Sequence, residues 1–109
     1  MTIGETDFSR LMQSLEPKLE PEVWVYATLG EASGFVGLSP IMMFTEAEGV
    51  TGIIPRAKAQ AAGIEFTFAC RRIILQVHSS LEAVGLIATI AEALESSEIP
   101  ANVVSAYYH

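Results

Sequence analysis

The segment from Ile73 to Tyr107 constrains the fold more than any other part of the chain. "IILQV" is rich in β-formers, residues 80–96 are the longest helix candidate, and "NVVSAY" reads as a strand near residues 102–107. A helix that returns between two strands runs back over the sheet, and the strands it joins lie parallel in a right-handed crossover. The chain therefore belongs to a class that mixes helix and sheet in one layered core.

The rest of the chain fits that class. "DFSRLMQSLEPKLE" opens on Asp7 as a helix cap, with Phe8, Leu11, Met12 and Leu15 at helical spacing. Pro17 ends that helix near Leu15 or Glu16. "EVWVYATL" is a strand with apolar residues on both parities, so both its faces are expected to be covered. "GEASGFVGLSP" is a loop, long for so compact a chain, and is read as mobile or functional. "IMMFTEAEGVTGIIP" gives two short strands with a turn near residues 47–49, where Gly49 tolerates positive φ. "RAKAQAAG" is a short helix, with Pro55 at its start and Gly63 as its C-cap. "IEFTFACRRIILQVH" holds two strand-like runs, residues 64–69 and 73–77. The expected order is α-β-ββ-α-ββ-α-β, an α+β fold with helices on one face of the sheet.

Composition narrows function. At 109 residues the chain is one ordinary domain, or two very small units sharing a core. No apolar run approaches the roughly 18–20 residues of a membrane span, and the best stretch, residues 83–94, contains Glu92. The N-terminus has early acids and no apolar signal core, which favours a cytoplasmic protein. Thirteen acids against six bases give a net charge of −7, a field that repels phosphate backbones and argues against nucleic acid. Arg56, Lys58, Arg71 and Arg72 form one locally basic stretch, expected to be a solvated surface. Cys70 is the single cysteine, so neither a disulfide nor a cysteine metal site is expected. It reads as a small buried hydrophobe, although its arginine neighbours are of the kind that lower a thiol pKa.

"VHSSLEAVGL" carries the chemistry. Ser79 and Glu82 have capping-box spacing, which explains the serines without a ligand. Leu81, Val84, Ile87, Ala88, Ala91 and Leu94 make an apolar helical face. Gly85 has two readings. It permits close helix-to-strand contact, or it lets a ligand approach a first helical turn whose free N–H groups favour a carboxylate. His78 adds a hydrogen bond or a pH-dependent charge to the second reading.

The stretch "LQVHSSLEAVGLIATIAEALESSEIPANVVSAYYH", with its strand, loop, Gly85-Leu86 pair, helix and following strand, resembles the ACT-domain family. The upstream "EAEGVTGIIP" and the "VHSSLEAVG" and "NVVSAYYH" motifs are similar to those of small bacterial tandem-ACT proteins of unknown function. The resemblance is weaker over "LMQSLEPKLEPEVWVYATL". It implies a ferredoxin-like β-α-β-β-α-β sandwich with an antiparallel or mixed sheet, as two ACT-like units. The expected division is an N-terminal helical segment at 1–22, a first unit at 23–69 and a partial second unit at 70–109. The family pattern continues past Tyr-Tyr-His with a further strand and helix that this chain lacks, so the second unit is expected to be incomplete.

The resemblance implies a non-catalytic regulatory module binding a small metabolite, an amino acid first, at a β–α junction. His78, Ser79, Ser80, Leu81, Val84, Gly85 and Leu86 would line it. The alternative is a protein-interaction or homo-oligomerisation module using Met42, Met43, Phe44, Tyr107 and Tyr108. Catalysis is not expected. Glu46 and Glu48 sit at a turn, His78 and Cys70 are not an evident catalytic pair, and no phosphate loop, dinucleotide or metal motif is present. No cofactor, metal, nucleic acid or membrane partner is expected.

Overall fold

The computed structural model describes residues 16–75 and 84–109. The chain divides into two compact units. One is Leu19–Ile73, and the described residues of the other are 16–18, 74–75 and 84–109.

The sheet is built from β1 (Pro17–Leu29), β2 (Met42–Glu46), β3 (Gly49–Pro55) and β4 (Thr67–Leu75). Its order is β2-β3-β1-β4, and the sheet is antiparallel. With a short 3-10 turn at Ala32–Phe35 after β1 and the helix α1 (Arg56–Ala62) after β3, this is the ferredoxin-like plan. The 3-10 turn stands where that plan places its first helix.

Register explains the core. Val25 pairs with Ile54, Ala27 with Gly52 and Leu29 with Val50. These residues share one face, as alternation on a strand requires. Phe35 and Leu38 from the β1–β2 connection and Ala59 from α1 pack with Val25, Ala27, Val50 and Ile54 in one cluster, flanked by Leu29 and Ile64. Each large side chain buried there contributes about 1.5–3 kcal/mol. The long loop is thus pinned to the core, since Phe35 is only 2% exposed. Trp24, Tyr26 and Thr28 point to the other face, opposite Pro55, Ile53 and Thr51.

The β2–β3 hairpin turns at Ala47 and Glu48, between the paired Glu46 and Gly49. Gly49 takes φ +152°, and a Cβ there would lie 2.8 Å from the Leu29 carbonyl oxygen. Helix α1 starts after Pro55 and ends at Gly63, which is left-handed with φ +67°. The Gly63 N–H donates to the Gln60 carbonyl and the Ile64 N–H to that of Ala59. Both ends match the sequence reading.

Four expectations are corrected. Residues 17–22, assigned to an N-terminal helical segment, begin β1. Pro17 and Pro21 lack the N–H a helix needs. Pairing with β3 starts only at Trp24, so these prolines withhold no donor from that neighbour. The two runs at 64–69 and 73–77 are replaced by one strand, β4, over Thr67–Leu75. Arg71 and Arg72 do not interrupt it, because both side chains reach Glu20 on β1. The strand near 102–107 does not form. Val103 and Val104 are exposed, and among the described residues no strand lies beside them to pair with their N–H and C=O groups. The crossover unit built on that strand falls with it.

The second helix, α2, is described over Val84–Ser96. Ala88 and Ala91, expected on its apolar face, are exposed, whereas Ile90, Ala93 and Leu94 are half-buried. The N-terminal helix expected before residue 16 lies outside the described residues. No described helix is long and apolar enough to cross a membrane.

Candidate functional site

The junction singled out from sequence is described only in part. His78, Ser79, Ser80 and Leu81, with Glu82 of the capping box, lie outside the described residues. Val84, Gly85 and Leu86 are the first described residues of α2.

Within Leu19–Ile73 an open cleft of about 440 Å³ is lined by Tyr26, Ala27, Thr28, Thr51, Glu65, Phe66 and Thr67. Its origin is topological. Tyr26 packs edge-on against Phe68, ring centroids 5.4 Å apart, and β4 starts only one residue earlier, at Thr67. The end of β1 therefore outruns β4. Residues 64–66 leave the α1 side, where Ile64 is tied to the core, and enter β4 past this corner. Phe68 takes φ +53°. A bulky residue in that region costs on the order of 1–3 kcal/mol, offset by the surrounding packing.

The lining chemistry is distinctive. Thr28, Thr51 and Thr67 supply hydroxyls, Tyr26 and Phe66 supply rings, and Glu65 supplies a carboxylate. No Lys, Arg or His lines the cleft among the described residues. The Thr51 hydroxyl donates to the Glu46 carboxylate, which sets a second acid behind the wall. Thus Glu46 anchors the end of β2 and Glu48 lies in the hairpin turn. The sequence reading missed this corner because Glu65 and Phe66 were assigned to a strand. The period-two alternation of Tyr26 and Thr28 with buried Val25 and Ala27 was the available signal.

Further along the same face Trp24 is 8% exposed, and its indole N–H has no hydrogen-bond partner among the described residues. The Arg72 guanidinium stands 5.9 Å from the Trp24 ring centroid, within cation–π range, and its Nε is 2.6 Å from Glu20 Oε1. Arg71 Nε donates to the Glu20 carbonyl at 2.9 Å. Both arginines are thus committed to β1. Half-buried Cys70, which precedes them on β4, has its thiol pushed up from the ordinary 9.0 by burial, the reverse of activation by neighbouring cations.

In the other unit, a second open cleft of about 370 Å³ lies at the end of α2, lined by Ala91, Glu95, Glu98, Ile99, Pro100 and Ala101. Among the described residues no group of three His, Cys, Asp or Glu side chains is placed to hold a metal ion.

This sheet order defines an α+β fold of the ferredoxin-like type. The chain belongs to the ACT domain family, whose profile matches residues 3–71. It is also similar to the crystal structure of a Vibrio cholerae protein of unknown function described as a possible transport protein. The two are 40% identical with a TM-score of 0.79, over 93% of this chain and 81% of that one. No curated protein matches. An ACT domain is a regulatory module that often binds amino acids.

Proposed function

We propose that the chain is a non-catalytic, cytoplasmic regulatory module that binds a small metabolite, an amino acid first, at the junction formed by His78, Ser79, Ser80, Leu81, Val84, Gly85 and Leu86. The observation that carries this reading is ACT membership together with a four-stranded ferredoxin-like unit spanning β1 to β4. In this reading the residues after β4 belong to a second unit, whose helix start offers N–H groups to a ligand carboxylate. A thermal-shift screen of the twenty amino acids tests it. A ligand at about 100 times its Kd stabilises the fold by about 2.7 kcal/mol, a shift on the order of 10 °C for a chain this size. Ser80→Ala and Gly85→Leu should both reduce that shift. A folded sample that answers no amino acid defeats the reading.

One observation favours a second reading, homo-association. β2 is an edge strand, and its Met43 and Phe44 are 47% and 62% exposed. The strand "MMFTE" carries none of the lysines or prolines that protect exposed edges. Light scattering at rising concentration tests it. A dimer lost in Phe44→Lys supports pairing at this edge, and a strict monomer rejects it.

A further inference from the structure

We propose that the cleft at the β1–β4 corner is a second ligand site, separate from the α2 junction, that takes a small organic ammonium ion bearing no carboxylate. Four features select that chemistry.

The charge is one-sided. Glu65 is exposed at the rim and has neither hydrogen-bond nor ion-pair partner among the described residues, while Glu46 accepts from Thr51. With no base among the described lining residues, a ligand carboxylate would meet only acids. An amine is attracted where an amino acid of the same length is penalised. The net charge of −7 adds a long-range field of the same sign.

The walls suit a cation. Tyr26 and Phe66 present rings, and the faces of aromatic rings attract ammonium groups, quaternary ones included. Tyr26 is held by its edge-on contact with Phe68. The left-handed backbone at Phe68 places strain beside this cleft, where ordinary strand geometry would have cost nothing.

The hydroxyls suit an N–H donor. Thr28 and Thr67 are exposed on opposite sides of the cleft and carry free acceptor capacity. The volume of about 440 Å³ lies within the usual range for small-molecule sites and is open enough for an aliphatic chain to trail into solvent.

The occupant is thus a mono- or diamine, or a quaternary amine. Because the site is open, binding is weak, on the order of millimolar.

The test uses the whole chain and a matched pair of probes, 1,5-diaminopentane and L-lysine, which differ by one carboxylate. Amide ¹H–¹⁵N spectra are followed at constant ionic strength set with NaCl. Diaminopentane should shift Tyr26, Thr28, Thr51 and Thr67, with L-lysine several-fold weaker. Glu65→Gln, at an exposed position, should weaken the diamine by up to about fivefold without altering the melt. Phe66→Leu, a second and independent variant, should weaken tetramethylammonium more than it weakens the diamine. Overturning results are equal shifts from NaCl alone, no shift at this corner up to about fifty times a millimolar Kd, or undiminished shifts in Glu65→Gln. Amino-acid responses at residues 84–86 bear only on the α2 junction, so either site can fail without the other.

Discussion

The ring of Phe35 packs against Gly52, so close that a Cβ added at Gly52 would sit 2.3 Å from Phe35 Cε1. Gly52 is the middle residue of β3, paired with Ala27 on β1. Two small residues side by side on adjacent strands thus make the floor of a slot that one aromatic ring fills. This contact converts a glycine-rich connection into a fixed part of the core.

Gly52→Ala should therefore destabilise the chain by about 1–3 kcal/mol through overpacking. Phe35→Ala should cost about 3–5 kcal/mol. In the Phe35→Ala background the alanine at 52 should cost little, because the clash is gone. Urea denaturation of the double-mutant cycle measures the coupling. Additive effects would mean the slot relaxes.

Gly63 closes α1 in the left-handed region. Gly63→Ala keeps the open space, since no atom lies within 4 Å of a Cβ there, so only backbone strain is added. The expected loss is about 1–2 kcal/mol. Gly63→Asn should lose less, because asparagine tolerates this region. Thermal melts of the two variants rank them.

Cys70 should react slowly. Its folded thiol ionises above the ordinary 9.0 because burial disfavours the thiolate. The folded chain therefore holds this proton where the unfolded chain has released it. That contribution to stability is complete below the unfolded value and lost as pH rises through the folded one. Alkylation by iodoacetamide should be slower in the native chain than in urea, with its pH midpoint displaced upward. A native midpoint below that in urea would refute the assignment.

The Arg72–Glu20 pair should matter little energetically. Its side chains are 43% and 25% exposed, and exposed pairs contribute about 0–1 kcal/mol. Glu20→Gln should cost less than about 1 kcal/mol. The Arg71 bond to the Glu20 carbonyl survives that change. Added salt should shrink the difference between wild type and variant in chemical denaturation.

Local signals in the sequence were reliable where a single residue dictates backbone geometry. Pro55 and Gly63 bound α1, and Gly49 follows the hairpin turn, as read. The α+β class was legible from the alternation of helical and strand patterns. Signals failed where a distant partner decides. Pro17 reads as the end of a helix that lies outside the described residues, and nothing local shows that a strand begins at Pro17 itself. "ACRRI" looked like a break because the Glu20 that receives both arginines lies far away in sequence. "NVVSAY" has strand composition but, among the described residues, no strand beside it. The corner cleft was invisible for the same reason: Tyr26, Thr51 and Glu65 meet only through the sheet order.

That order has a kinetic consequence. β1 and β4 are neighbours in the sheet although the hairpin and α1 intervene in the chain. α1, with seven residues, is too short to persist alone. Closing the sheet thus requires a long chain loop to shut before its contacts repay the lost entropy. A nascent chain that has not yet reached Thr67 would expose the full outer edge of β1 beside Trp24 and Tyr26. The unit is thus most vulnerable to misassembly just before its last strand is made.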